Sequence, residues 1–407
     1  MQPTIGDHLA RIRRQSTLTQ EQLAERAGIS VETVRKLESN ARTSARMATL
    51  ARLARALEVP TTALLGSAAQ AAARREPDHR PLSLIEVRRA LTPARAPGGS
   101  ARLPDGPPPA LDWIGTRLRE ADRAYHRGDY ASALVGLPPL IDAARLAVET
   151  ASSAARARAH ATLAETYYLT GELLIQLRAG DLAYHALGGA LDSAEAAGDP
   201  ALGALTVKGT SWLLLRQGRL AEAEQVAITT ADAIEPRISR ARPEDLAVWG
   251  WLLLASAAAA ARDNRPDDAT EMLDSAAAAG VRLADRPMEV DHLMIVGGFR
   301  TGRVEMMRVE TAAVTDDPAR VLQLSERMPV GATVATSQRR HQLDVAWAYL
   351  HTGQHAEATS VPTRLSRRAP AWLRHQRYAR DIVTDLAATR RRAMSKELAD
   401  LAALVGC

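Results

Sequence analysis

The sequence predicts an all-α fold: a compact N-terminal domain of four or five short helices, a linker, and an α-solenoid. Three observations carry this. Of 407 residues, 46% are apolar but only 3% aromatic, with a single Phe. A core of Ala, Leu and Val suits closely approaching helices better than strands, which favour β-branched and aromatic residues. Apolar residues recur at helical spacing through residues 5–66 and again from Trp113 onward. A turn residue followed five positions later by Ala recurs along the second half of the chain.

The first helix places Ile5, Leu9 and Ile12 on one face. Thr19 is a good N-cap for the second, and Gln22 completes a capping box. Leu23, Ala24 and Ala27 form its buried side, and Gly28 ends it. Ser30 caps a third helix carrying Val31, Val34 and Leu37. A fourth has Met47, Leu50, Leu53, Ala54 and Leu57 at helical spacing, and Pro60 stops it. Residues 67–110 hold 8 of the 21 prolines. That density reads as a linker, with one short helix over Leu82–Leu91.

Beyond the linker, Gly128, Gly218, Asn264 and Gly353 each precede an Ala by five positions, at Ala133, Ala223, Ala269 and Ala358. Seven residues before each turn stand Ala121, Ser211, Ala257 and Ala346. The Gly or Asn accepts the left-handed conformation that ends one helix. The small residues then face each other across a helix hairpin. Looser copies surround Gly180-Asp181 and Asp316-Asp317-Pro318.

The run Leu18–Glu38 resembles the Cro/phage-repressor (Xre) family of helix-turn-helix domains. The resemblance rests on Ala24, Gly28, Ile29, Val34 and Leu37 together, and implies a DNA-binding domain over residues 1–66. It assigns Ser30, Val31, Glu32, Thr33, Arg35 and Lys36 to the base-facing side of the third helix. It assigns Gln20, Arg42 and Arg46 to phosphates. Lys36 suits guanine acceptors, Glu32 the cytosine amino group and Val31 a thymine methyl. Arg13 and Glu38 match a pair that forms a structural salt bridge in the family. Asn40 stands where the family often has Gly, and Asn also tolerates positive φ. Arg52 and Arg55 are divided between solvated surface and phosphate contact.

The hairpin register resembles the tetratricopeptide repeat over residues 111–370, with capping helices over 371–407. The combination is similar to bacterial peptide-sensing regulators and to a large actinobacterial group of regulators. The groove asparagines of peptide sensors are missing: the chain has only Asn40 and Asn264. Tyr167, Tyr168 and Tyr184 are candidate groove residues, with core packing the competing role.

Residues 1–110 carry the excess of basic residues, while the remainder is slightly acidic. A polyanion is attracted to the N-terminal end. One cysteine, Cys407, excludes internal disulfides and thiolate clusters. No leader-like or 18-residue apolar stretch is found, so a cytoplasmic protein without membrane contact is expected. No motif points to an enzyme, a cofactor or a metal. His351 and His355 straddle a turn glycine, and Gly297–Gly302 lacks the lysine of a phosphate loop. The expected function is a dimeric regulator that binds double-stranded DNA, its solenoid taking a peptide, small-molecule or protein ligand. A protein-interaction scaffold with a DNA-localising head is the alternative.

Overall fold

The computed structural model describes residues 4–41, 45, 47–61, 63–64, 83–93, 107, 109–283, 298–328, 335–389 and 395–407. These contain helices and no strand. The head comprises α1 (Ile5–Gln15), α2 (Gln20–Arg26), α3 (Val31–Glu38) and α4 (Met47–Ala56). Thr4 and Thr19 both form capping boxes, with Asp7 and Gln22 as reciprocal partners. Leu9, Leu23, Val34, Leu37, Leu53 and Leu64 fill a separate small core.

Within the stretch expected as linker, α5 (Ile85–Leu91) is packed. Val87, Ala90 and Leu91 are buried in the main core. Arg145 holds the end of α5 by donating to the Ala90 and Leu91 carbonyls. The remaining linker residues lie largely outside the described part.

Six helix hairpins follow among the described residues: α6 (Leu111–Arg127) with α7 (Tyr130–Thr150), α8 (Arg156–Gln176) with α9 (Gly180–Ala197), α10 (Pro200–Arg216) with α11 (Leu220–Ala233), α12 (Pro243–Arg262) with α13 (Pro266–Leu283), α14 (Thr301–Val314) with α15 (Pro318–Glu326), and α16 (Ala335–His351) with α17 (His355–Arg368). The short helices α18 (Pro370–Arg374), α19 (Arg377–Thr389) and α20 (Lys396–Val405) pack against α17 and one another.

One turn geometry repeats through all six. The left-handed residues are Gly128, Arg178, Gly218, Asn264, Asp316 and Gly353. The next residue's N–H closes onto the carbonyl five positions back, as in Asp129 to Ala124 at 2.9 Å and Gln354 to Tyr349 at 2.8 Å. The residue five beyond each turn is fully buried: Ala133, Ala183, Ala223, Ala269, Val321 and Ala358. Across the third hairpin the Ser211 hydroxyl donates to the Ala223 carbonyl at 2.7 Å, so the two helices meet at their small residues. The second hairpin corrects the expected register. Its turn lies on Arg178, two residues before Gly180, and a non-glycine residue carries the positive φ.

The solenoid closes on itself. Helices α6, α8, α10, α12, α14 and α16 each pack on the next, and α16 returns to α6. Arg339 donates to the last carbonyls of α6, at His126 and Arg127, at 3.2 and 3.0 Å. Trp372 lies on Gly128, where an added Cβ would meet the Trp372 Cβ at 2.5 Å. Helices α7 and α12 are long and apolar enough to cross a membrane by length and composition, but both pack within this array.

The head docks on the outer turns. Arg52 pairs with Asp316 at 2.7 Å, and Arg55 donates to the Thr315 carbonyl at 2.8 Å and reaches Asn264 at 3.4 Å. Ile5 and Leu50 close an apolar cluster with Leu220 and Leu215.

Candidate nucleic-acid interface

The turn between α2 and α3 is built as a helix-turn-helix. Gly28 takes φ 62°, and the Ile29 N–H returns to the Ala24 carbonyl at 3.0 Å. The Ser30 hydroxyl accepts from the Thr33 N–H at 3.3 Å and starts α3. Val34 and Leu37 are fully buried and fix its rotation. That leaves Ser30, Glu32, Arg35 and Lys36 exposed, with Val31 and Thr33 half-buried beside them.

The polar face carries only weak internal pairs. Lys36 lies 3.3 Å from Glu32, and Arg35 lies 2.8 Å from Glu21, all four side chains more than half exposed. Such pairs contribute about 0–1 kcal/mol and are readily exchanged for other partners.

The other end of α3 is locked. Arg13 donates to Glu38 from Nε at 2.6 Å and from Nη2 at 2.8 Å, the two side chains only 12% and 6% exposed. Arg13 also donates to the Leu18 carbonyl. Burial works against the Glu38 carboxylate, but Arg13 and Gln20 outweigh it and hold its pKa below the ordinary value. Gln20 donates its amide to Glu38 at 2.7 Å. It thus serves inside the head, which its sequence position did not reveal. Asn40 takes φ 57°, and its side chain bonds Thr4 and Asp7. Arg42 and Arg46 lie outside the described residues.

Arg52 and Arg55 are committed to the solenoid turns. The signal for this was present in sequence but has meaning only in three dimensions. The two turns that touch the arginines carry Asn264 and Asp316, where three other turns have Gly.

The expected tyrosine groove does not form as a unit. Tyr167 is buried beneath Gly189 and accepts from Arg145 at 2.6 Å. Tyr168 points toward Lys208 and Glu172. Tyr184 sits on α9 and is 57% exposed. Adjacent residues on a helix point about 100° apart, which separates Tyr167 from Tyr168. His351 lies 2.9 Å from the Trp347 carbonyl, and both turn histidines are exposed.

Residues 9–64 match the helix-turn-helix family HTH_3. No curated protein and no solved structure matches the chain. The matched segment coincides with α1 to α4 and the following turn, and supports a DNA-binding domain of the kind that transcription regulators carry.

Proposed function

We propose that the chain is a sequence-specific transcription regulator whose tetratricopeptide-like solenoid dimerises and receives a signal. The observation that carries this reading is the head's posture. It is docked through α1 and α4 while the polar face of α3 stays exposed. A major groove can therefore be read without undocking. Ser30, Val31, Glu32, Thr33, Arg35 and Lys36 face the bases, and Arg42 and Arg46 the phosphates, while the Gln20 amide stays on Glu38. The protein works in the cytoplasm as a dimer, because one short recognition helix makes too few base contacts and two half-sites raise affinity and specificity.

Docking also supplies a route for the signal. A flexible linker cannot transmit head spacing, but a head held on the turns at 264 and 315–316 moves with the solenoid. Replacing Asp316 by Gly keeps the left-handed turn, which Gly adopts freely, and removes the Arg52 pair. The expected result is unchanged solenoid helicity and unchanged binding to one half-site, with loss of preference for one half-site spacing. Retained spacing preference on a DNA series would show that the linker sets the geometry.

The recognition residues are separable by experiment. Lys36→Ala should relax sequence preference, with about 1–3 kcal/mol less discrimination at one base pair. Arg46→Ala should weaken binding to every sequence alike and reduce the salt slope by about one. If both variants lower affinity uniformly, α3 is not the reading helix.

A further inference from the structure

The head spans three consecutive turns of the solenoid. Ile5 and Leu50 rest on Leu215 and Leu220 at the third turn. Arg55 reaches Asn264 at the fourth. Arg52 and Arg55 reach Asp316 and the Thr315 carbonyl at the fifth. The Arg52 and Asp316 side chains are 29% and 24% exposed, and a pair so open to solvent is weak alone. The head has its own core and its own Arg13–Glu38 lock, so it meets the turns as one body. It satisfies all three only where the turns keep one relative spacing.

Two ionic ties hold that spacing, one on each side of Asn264. Arg265, the next residue, pairs with Glu224 on α11 and joins the fourth turn to the third hairpin. Arg262, two residues before Asn264, donates to Glu310 on α14 at 2.5 Å and joins the fourth turn to the fifth hairpin. The Arg262 and Glu310 side chains are only 17% and 12% exposed, so salt screens this pair little. Burial opposes the Glu310 charge, but Arg262, Arg340 and Arg303 outweigh it and hold its pKa well below the ordinary value. Asn264, which the ties flank, is itself a contact of the head.

We propose that the pairs Arg265–Glu224 and Arg262–Glu310 are the positioning contacts of the head: they keep it seated, and loosening either lifts it from the turns while head and solenoid both stay folded. Head position then reports the spacing of the third, fourth and fifth hairpins. A signal that shifts these hairpins acts on the head without touching it. The consequence for DNA rests on the regulator reading above, whereas the seating itself is tested without DNA.

The test is thiol labelling of the full-length protein carrying Cys407→Ser, which removes the single native cysteine. Ile5 is 3% exposed and packs with Leu50 and Leu220 at the seat, so the thiol of Ile5→Cys reports lifting. Leu9 lies in the head's own core, so Leu9→Cys reports unfolding of the head instead. Where reclosing outpaces labelling, the rate follows the open fraction. Arg262→Gln and Glu224→Gln should each speed the Ile5→Cys reaction about fivefold or more, the lower end of ordinary coupling between sites, and leave Leu9→Cys unchanged. Both variants leave the partner charge compensated: Glu310 keeps Arg340 at 3.9 Å, and Arg265 keeps Asp268 at 2.7 Å. Arg262→Lys keeps the charge and should restore most of the protection. An unchanged Ile5→Cys rate in either variant, or a Leu9→Cys rate raised by the same factor, would overturn the proposal. Binding to duplexes of varied half-site spacing is scored separately. A spacing preference in the wild type with unchanged labelling in the variants sinks the ties alone, and faster labelling with no specific DNA binding by the wild type sinks the regulator reading alone.

Discussion

Glu38→Ala should cost the head about 3 kcal/mol, the scale on which breaking a largely buried ion pair leaves its partner charge uncompensated. The carboxylate binds Arg13 through two bonds and also accepts from Gln20. Its loss frees the joint between α1, α2 and α3 at once. Thermal unfolding of the head should move down sharply, and DNA binding should fall with it at temperatures where the head melts. The pH dependence has a definite sign. The folded pKa of Glu38 lies below its ordinary value of 4.5, so its stabilisation is present above that pH and is lost as pH falls through the folded value. Glu38→Gln should remove that acid-sensitive component. If the variant melts with the wild-type pH profile, the pair is not holding the joint.

Gly250→Val should destabilise the solenoid by about 3 kcal/mol, at the upper end of ordinary overpacking. Gly250 lies mid-helix in α12, where glycine costs roughly 1 kcal/mol against alanine. The reason it stands there is Phe299. A Cβ on Gly250 would meet three atoms of the Phe299 ring at 2.0 to 2.5 Å. That ring is fully buried and packs 6.0 Å from Trp251. Calorimetry should show a lower melting temperature for the solenoid, partly restored by adding Phe299→Leu. An unchanged melt would mean that the Gly250 contact is loose.

The head was legible because its signals are local. Thr19, Gly28, Ser30 and the apolar positions of α3 each specify a cap, a turn or a face within a few residues. The hairpins were legible for the same reason, since Gly128, Gly218, Asn264 and Gly353 sit at their αL turns. The second hairpin was misregistered because Arg178 carries the left-handed conformation, at a cost of about 1–2 kcal/mol that sequence patterns do not anticipate. Ring closure could not be read. It depends on superhelical curvature summed over six hairpins, and Trp372 meets Gly128 across more than half the chain. The same holds for Arg52 on Asp316. The tyrosines failed as a groove because neighbours in sequence diverge on a helix, whereas the interior is assembled from one face of each successive first helix.

Binding of the full-length protein to its own upstream DNA and to a scrambled duplex, across a salt series, tests the central claim most directly. A sequence-specific dimer should prefer the upstream DNA by at least ~10³ at physiological salt and protect two half-sites. Equal and steeply salt-dependent binding to both duplexes, with no protected half-sites, would contradict it.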